Sequence, residues 1–373
     1  MNRNGAISSG HTDLPIAVDA SGGDAGIDVQ VEGAVAALKE LGVHSTLVGP
    51  AADLQAVLEG LGASSLSIGV VDAPETISMD ESAARAVVKK PNSSLCVSYR
   101  LVKDGQASAI ISSGNSGAMM AAGMKFCGMM PGIKRPAIAT LIPRVGGRQP
   151  SIILDSGANV DCRAHNLVQF AIMGAIYCKC LFKVKDPRVA LLSNGSEPNK
   201  GTETTREAAA VLSGLDGLNF TGYVEGREVA SGAVDVVVCD GFVGNIVLKT
   251  MEGCVRLVGE QLEHECSTGF YRRILRRLGR GLYRDVFRNR FDYTAHGGAP
   301  LLGLRKLAIV LHGSSDARAV KNAIRVASTF AKAGMTDEIG LQLSALEESS
   351  FEDLIGSISE VLPQQLKYEG EEQ

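Results

Sequence analysis

The motifs that would name a chemistry outright are missing from these 373 residues. No GxxxxGK[ST] occurs, which argues against a nucleotide-hydrolysing P-loop, and no HExxH, EF-hand loop or GxSxG points to a metalloprotease, a calcium site or a hydrolase elbow. GxGxxG is also absent, which weakens a dehydrogenase reading. Eight cysteines form no CxxC pair, and Cys178 with Cys180 has the wrong spacing for a zinc knuckle. Scattered through apolar stretches, as at Cys127 and Cys254, they read as small buried hydrophobes in a reducing compartment. There is no run of 18 apolar residues, and the opening MNRNGAISSGHTDLP lacks the apolar stretch of a signal peptide, so the expectation is a soluble cytoplasmic enzyme. A basic excess is missing too: 37 Lys and Arg against 41 Asp and Glu leave a net charge of -4, which argues against nucleic acid as a partner.

Glycine is abundant. The chain holds 43, well above the ~7 % of an average soluble protein, and they cluster after apolar runs as tight βα turns would require. The clearest case is Val234 to Gly253, VDVVVCDGFVGNIVLKTMEG, where an apolar strand meets a Gly-rich turn that opens into a long amphipathic helix. Asp240, Gly241, Gly244 and Asn245 stand at that junction. A helix N-terminus after a buried strand offers unpaired amides and the positive end of the helix dipole, so an anion suits it.

The same pattern recurs along the chain. After a polar stretch over residues 1–14, read as disordered, the strand Ile16 to Ala20 runs into Ser21, Gly22, Gly23 and Asp24, with Asp28 placed to cap the next helix. A strand from Leu66 to Val71 follows, and Ala107 to Ile111 leads into Ser113, Gly114, Asn115 and Ser116. Ile152 to Asp155 leads into a loop where Asp155 and Asp161 bracket Asn159, either as a metal pair or as turn caps. Arg188 to Leu192 leads to Lys200, beside a glycine, which suits a phosphate oxygen or an exposed turn alike. Leu307 to His312 leads into Ser314 and Ser315. Such loops, converging at the C-terminal edge of one sheet, would surround a phosphate or a developing oxyanion with amides and short hydrogen-bonding groups.

Two stretches break the pattern. A basic amphipathic insertion over 264–292 carries Arg272, Arg273, Arg276, Arg277, Arg280 and Arg284 among apolar residues, the character either of a solvated helix pair packed on the core or of a surface for an acidic protein or anionic lipid. From Thr336 to the end the chain is acidic and spaced as peripheral helices.

Eight segments in order then resemble one bacterial family: DASGGD from Asp19, SSGNSGA from Ser112, DSGANVDC from Asp155, NKGTE from Asn199, FTGYVEGRE from Phe220, CDGFVGNIVLKTMEG from Cys239, HGGAPLLG from His296 and HGSSDARAVKNAI from His312. The family is the fatty acyl-acyl carrier protein:phosphate acyltransferases of phospholipid synthesis. Here Ser21 and Ala25 stand where the family commonly has Met and His. The resemblance implies a three-layer α/β/α fold of the isocitrate/isopropylmalate dehydrogenase and phosphate acetyltransferase type over about 15–335, with two lobes around one cleft, as a homodimer.

It also implies transfer of a long-chain acyl group from acyl carrier protein to inorganic phosphate, with delivery to a membrane-bound glycerol-3-phosphate acyltransferase and peripheral membrane contact. It assigns no cofactor and no metal. Under that reading Lys200, Asn115, Ser113 and the Gly-rich amides hold phosphate, with Asp19, Gly22, Gly23, Asp24, Gly114, Ser116, Asn159, Ser314 and Ser315 around them. Asn245, or an amide near Gly244, stabilises the oxyanion, while His312 handles a proton or hydrogen-bonds phosphate and Asp240 joins the catalytic candidates. The arginines of the insertion steer the carrier protein or meet the membrane. A coenzyme A-dependent phosphate acetyltransferase, a non-catalytic membrane scaffold and a metal-dependent decarboxylating dehydrogenase are the rival readings.

Overall fold

The computed structural model describes residues 14–146, 149–267 and 297–347. The six arginines of the insertion, residues 1–13 and everything after Glu347 lie outside the described residues. Eleven strands form one sheet. They are β1 (Ile16–Asp19), β2 (Ser45–Gly49), β3 (Gly69–Asp72), β4 (Ala109–Ser112), β5 (Ala137–Ile142), β6 (Ser151–Leu154), β7 (Val189–Leu192), β8 (Phe220–Val224), β9 (Val236–Val238), β10 (Ala299–Leu302) and β11 (Leu307–Val310). Their spatial order is β3-β2-β1-β4-β11-β10-β5-β6-β9-β7-β8.

The apolar runs become strands covered on both faces because alternate side chains leave a strand in opposite directions. In β1, Ile16 and Val18 enter the large core on one face, and Ala17 enters a second core on the other. In β9, Val236 and Val238 share that large core while Val237 faces a third. Helices cover both faces: α1 (Gly26–Leu41), α2 (Ala51–Gly60), α3 (Ala83–Lys89), α4 (Ser94–Lys103), α5 (Ser116–Phe126), α6 (Ala164–Phe182), α7 (Glu203–Ser213), α8 (Gly241–Ser267), α9 (Ala317–Lys332) and α10 (Met335–Glu347). This is the expected three-layer α/β/α arrangement.

Direction within the sheet changes at its centre. Strands β3, β2, β1, β4 and β11 are mutually parallel, as are β6, β9, β7 and β8. Between them the pairs β11–β10, β10–β5 and β5–β6 are all antiparallel. Three reversals turn the second parallel half against the first. The segment HGGAPLLG carries no period by which a strand could be read, yet Ala299–Leu302 supplies the central β10.

Local expectations also shift. The third strand begins at Gly69, and α1 starts at Gly26 with no side-chain cap, leaving Asp28 inside its first turn. Helix α10 is not peripheral: Met335, Ile339 and Leu343 repeat every fourth residue, are buried against the main core, and lie on the helix that packs beside α6. Met119 is core filler, whereas Met124 is 39 % exposed.

Candidate active site

At the middle of the sheet a cleft of about 270 Å³ opens between the two halves. Its floor comes from β5 and the ends of β4 and β11, through Ile138, Thr140, Leu141, Gly114, Val310 and Leu311. One wall is α8, whose Asn245, Leu248, Lys249 and Glu252 fall on one helical face. That helix reaches the cleft because it runs back over its own half, packing Val247, Leu248 and Met251 on the third core.

The polar end is built around His312 and Lys249. Lys249 Nζ lies 2.8 Å from His312 Nε2 and 2.9 Å from Glu252 Oε2. An ammonium only donates, so this contact uses the Nε2 lone pair, while Nδ1 lies 2.8 Å from Ser314 Oγ and 3.2 Å from the Ser314 amide, whose N–H points at it. Burial, and then the Lys249 charge, hold His312 below its ordinary value, so the ring is neutral at neutral pH. Asp24, Ser116 and Ser315 complete the polar lining. Ser315 is 1 % exposed and its Oγ has no hydrogen-bond partner among the described residues. Ser116 opens α5, whose N-terminus thereby faces the cleft.

The geometry therefore assembles Asp24, Gly114, Ser116, Asn245, His312 and Ser315 around one space, with Ser314 orienting the imidazole. Other expected residues do different work. Ser113 is fully buried; its Oγ donates to Gly22 O at 2.8 Å and accepts from Gln30 Nε2 at 2.8 Å, latching the first turn to β4. Gly22 and Gly23 permit that closeness, since a Cβ on Gly23, at φ +87°, would stand 2.7 Å from Ser113 Oγ. Asp19 is buried beneath them and accepts from Ser112 Oγ at 2.6 Å, while burial pushes its carboxyl up. Asn115 caps α5 through Ala118 N at 3.0 Å and straps the 79–81 segment through Met79 O at 3.0 Å.

In the second half, Asp155 and Asn159 form a structural knot. Asp155 Oδ1 accepts the amides of Ile138, Gly157 and Ala158, and Oδ2 accepts the amide and Nδ2 of Asn159. Burial pushes this carboxyl up and the five N–H donors oppose the push. Turn capping is thus the role the geometry gives Asp155, and no cluster of three or more metal-ligating side chains occurs among the described residues. Asp240 caps α8, accepting from Val243 N at 2.7 Å. Gly244 spends its amide on Asp240 O at 2.9 Å, so that N–H is not an oxyanion donor. Lys200 lies in the β7–α7 loop with its stem over Gly195, and it does not line the cleft.

Sequence reading missed Lys249, Glu252, Thr140, Ser156 and Met79, all on the cleft wall. Lys249 was within reach of a helical argument, since it stands four residues after Asn245. Thr140 and Ser156, hydroxyls 2.6 Å apart, meet only through the antiparallel pairing of β5 and β6.

A sheet of this order covered by helices on both faces is the α/β fold of the phosphotransacetylases. The solved phosphotransacetylase of Streptococcus pyogenes superposes with a TM-score of 0.59 at 19 % identity, covering 85 % of this chain and 94 % of that one. At that identity the likeness speaks for the fold alone. The family model described as "Fatty acid synthesis protein" matches residues 14–338. A phosphate acyltransferase of Trichlorobacter lovleyi is 47 % identical over 331 residues, 89 % of this chain and 95 % of its own. Another, from Citrifermentans bemidjiense, is 46 % identical over 331 residues, 89 % of this chain and 93 % of its own. The chain belongs to this phosphate acyltransferase family.

Proposed function

We propose that the chain transfers a long-chain fatty acyl group from the thioester of acyl carrier protein to inorganic phosphate, yielding acyl phosphate. Acyl transfer to phosphate is the activity of its family, and the carrier-protein donor and chain length extend that activity. The observation that carries the reading is the Lys249–His312 pair set against an apolar wall of Met79, Ile138, Leu141 and Leu248. One end suits a dianion and the other an acyl chain.

Phosphate enters beside Lys249, drawing the ammonium to a phosphate oxygen and releasing the Nε2 lone pair of His312. A phosphate oxygen attacks the thioester carbonyl, forming the C–O bond. The tetrahedral oxyanion collapses as the C–S bond breaks. His312 Nε2 takes the proton of hydrogen phosphate and returns it to the departing thiolate, so no proton is gained or lost overall. Ser314 holds the ring's orientation through Nδ1. Asn245 and the α5 N-terminus receive the developing charge, a role supported by the presence of Asn245 and Ser116 in the cleft lining.

The reading extends to a homodimer and to product delivery to a membrane-bound glycerol-3-phosphate acyltransferase at the inner face of the cell membrane. An exposed apolar stripe of Phe242, Ile246 and Leu257 on α8 supports a second copy. No helix among the described residues is long and apolar enough to cross a membrane. The test is phosphate-dependent thiol release from palmitoyl-acyl carrier protein, run beside palmitoyl and acetyl coenzyme A with mass detection of acyl phosphate. Turnover of coenzyme A esters alone refutes the donor assignment, and no phosphate-dependent turnover with any donor refutes the reaction.

A further inference from the structure

A second cavity, of about 450 Å³, lies at the N-terminus of α6 and shares no lining residue with the cleft. Lys134, Arg135, Arg163, His165 and Asn166 line it, and Asp161 is its one carboxylate. Three permanent cations against one carboxylate is an unbalanced set in a chain whose net charge is -4.

The imbalance stands at the worst place for positive charge. The N-terminus of a 19-residue helix carries the positive end of its dipole, where an acid or a hydrogen-bond acceptor is normally stationed. Here the N-cap is Arg163, which has no acceptor atom, and the first turn contains no acidic residue. Asn166 is 3 % exposed; its Oδ1 is turned to Arg163 N at 3.0 Å, which leaves the Nδ2 donor without an acceptor among the described residues. A buried donor left without a partner is costly. His165 answers the same field: burial, then Lys134, Arg163 and Arg135, hold its ring below the ordinary value. Every one of these features is relieved by one kind of guest, a compact multivalent oxyanion rich in acceptor oxygens.

We propose that this cavity is a second anion site, distinct from the reaction cleft, that binds a phosphate group through Lys134, Arg135, Arg163, the Asn166 side chain and the Ala164 and His165 amides at the start of α6. The guest is either free phosphate or the head of a phosphate ester, which share this chemistry. The site stands independently of the proposed reaction, because nothing in it contributes to the cleft.

The experiment is thermal unfolding of the full chain at constant ionic strength, titrated with inorganic phosphate or phenyl phosphate against potassium chloride. It is carried out in the Lys249→Met background, which removes the cleft cation. Phosphate-dependent stabilisation persists in that background. Lys134→Ala, an exposed change that breaks no side-chain hydrogen bond among the described residues, weakens half-saturation by about fivefold. Arg163→Asp supplies the missing cap, raises the melting temperature in chloride by about 1–3 °C and abolishes the phosphate increment. Stabilisation by both probes assigns the free anion, and stabilisation by phenyl phosphate alone assigns an ester. The proposal is overturned if neither probe stabilises the Lys249→Met protein, or if the increment is unchanged in both Lys134→Ala and Arg163→Asp.

Discussion

Two glycines of α8, nine residues apart, should respond in opposite directions to the same added methyl group. A Cβ at Gly244 would overlap the backbone oxygen of Asp155 and stand 3.0 Å from both Asp155 C and Cys239 Sγ. The Asp155 segment cannot yield, because its carboxylate is tied to four backbone amides and the Asn159 side chain. The helix must therefore move, by at least about 1 Å to recover ordinary contact. Overpacking of this kind costs about 1–3 kcal/mol, offset in part by the ~1 kcal/mol helix preference of Ala over Gly. The displacement reaches Asn245 and Lys249 directly, and a shift of about 1 Å in a positioned group can cost ~10²-fold in rate. At Gly253 nothing lies within 4 Å of the added Cβ, so Gly253→Ala keeps the propensity gain and stabilises by about 0.5–1 kcal/mol with unchanged turnover. Thermal unfolding and phosphate-dependent acyl transfer on both variants are the assay. Equal melting temperatures and equal kcat for Gly244→Ala and the parent, or shifts of the same sign at both sites, would refute the close-packing account of this helix.

Lys249→Met should lower kcat by about 10²–10³-fold as an electrostatic donor is lost. It should also move the acid limb of kcat/KM upward in pH: Lys249 helps hold His312 below its ordinary value, protonation at falling pH removes the base, and deleting the cation lets that protonation begin earlier. A pH profile whose acid limb stays in place would count against His312 as the base. Asp240→Ala should cost about 1 kcal/mol in chemical denaturation through its lost cap, with kcat within a few-fold of the parent. A loss of two orders of magnitude in kcat would restore Asp240 to the chemistry. Asp155→Asn should destabilise by about 2–4 kcal/mol, since an amide cannot replace a carboxylate that accepts five N–H groups. An unchanged denaturation midpoint would show that the knot contributes little.

The sequence by itself determined the layers and most of the strands. Runs such as IAVD and VVV hold only side chains that accept burial on both faces, with β1's one exception, Asp19, committed to Ser112. Short polar and glycine turns between such runs and amphipathic helices left an α/β/α arrangement as the natural solution. The same local rules placed Asp24, Ser116, Asn245 and His312 at element ends, and all four line the cleft. Tertiary structure alone decided which loops face one another. Strand direction in the centre depends on β10, whose GGAPLLG segment has no periodicity of its own and becomes a strand through its antiparallel partners β11 and β5. Lys200, beyond the β7 end, does not line the cleft, whereas Lys249 reaches it from mid-helix. Hydrogen-bond commitments are equally non-local: Ser113, Asn115 and Asn159 look alike in sequence to residues that bind anions. Ser113 Oγ and the amide nitrogens of Asn115 and Asn159 are taken up by Gly22 and Gln30, by Met79, and by Pro136 and Asp155, partners between 4 and 91 residues away. A spacing rule reads one element at a time, whereas a site is made where several elements meet.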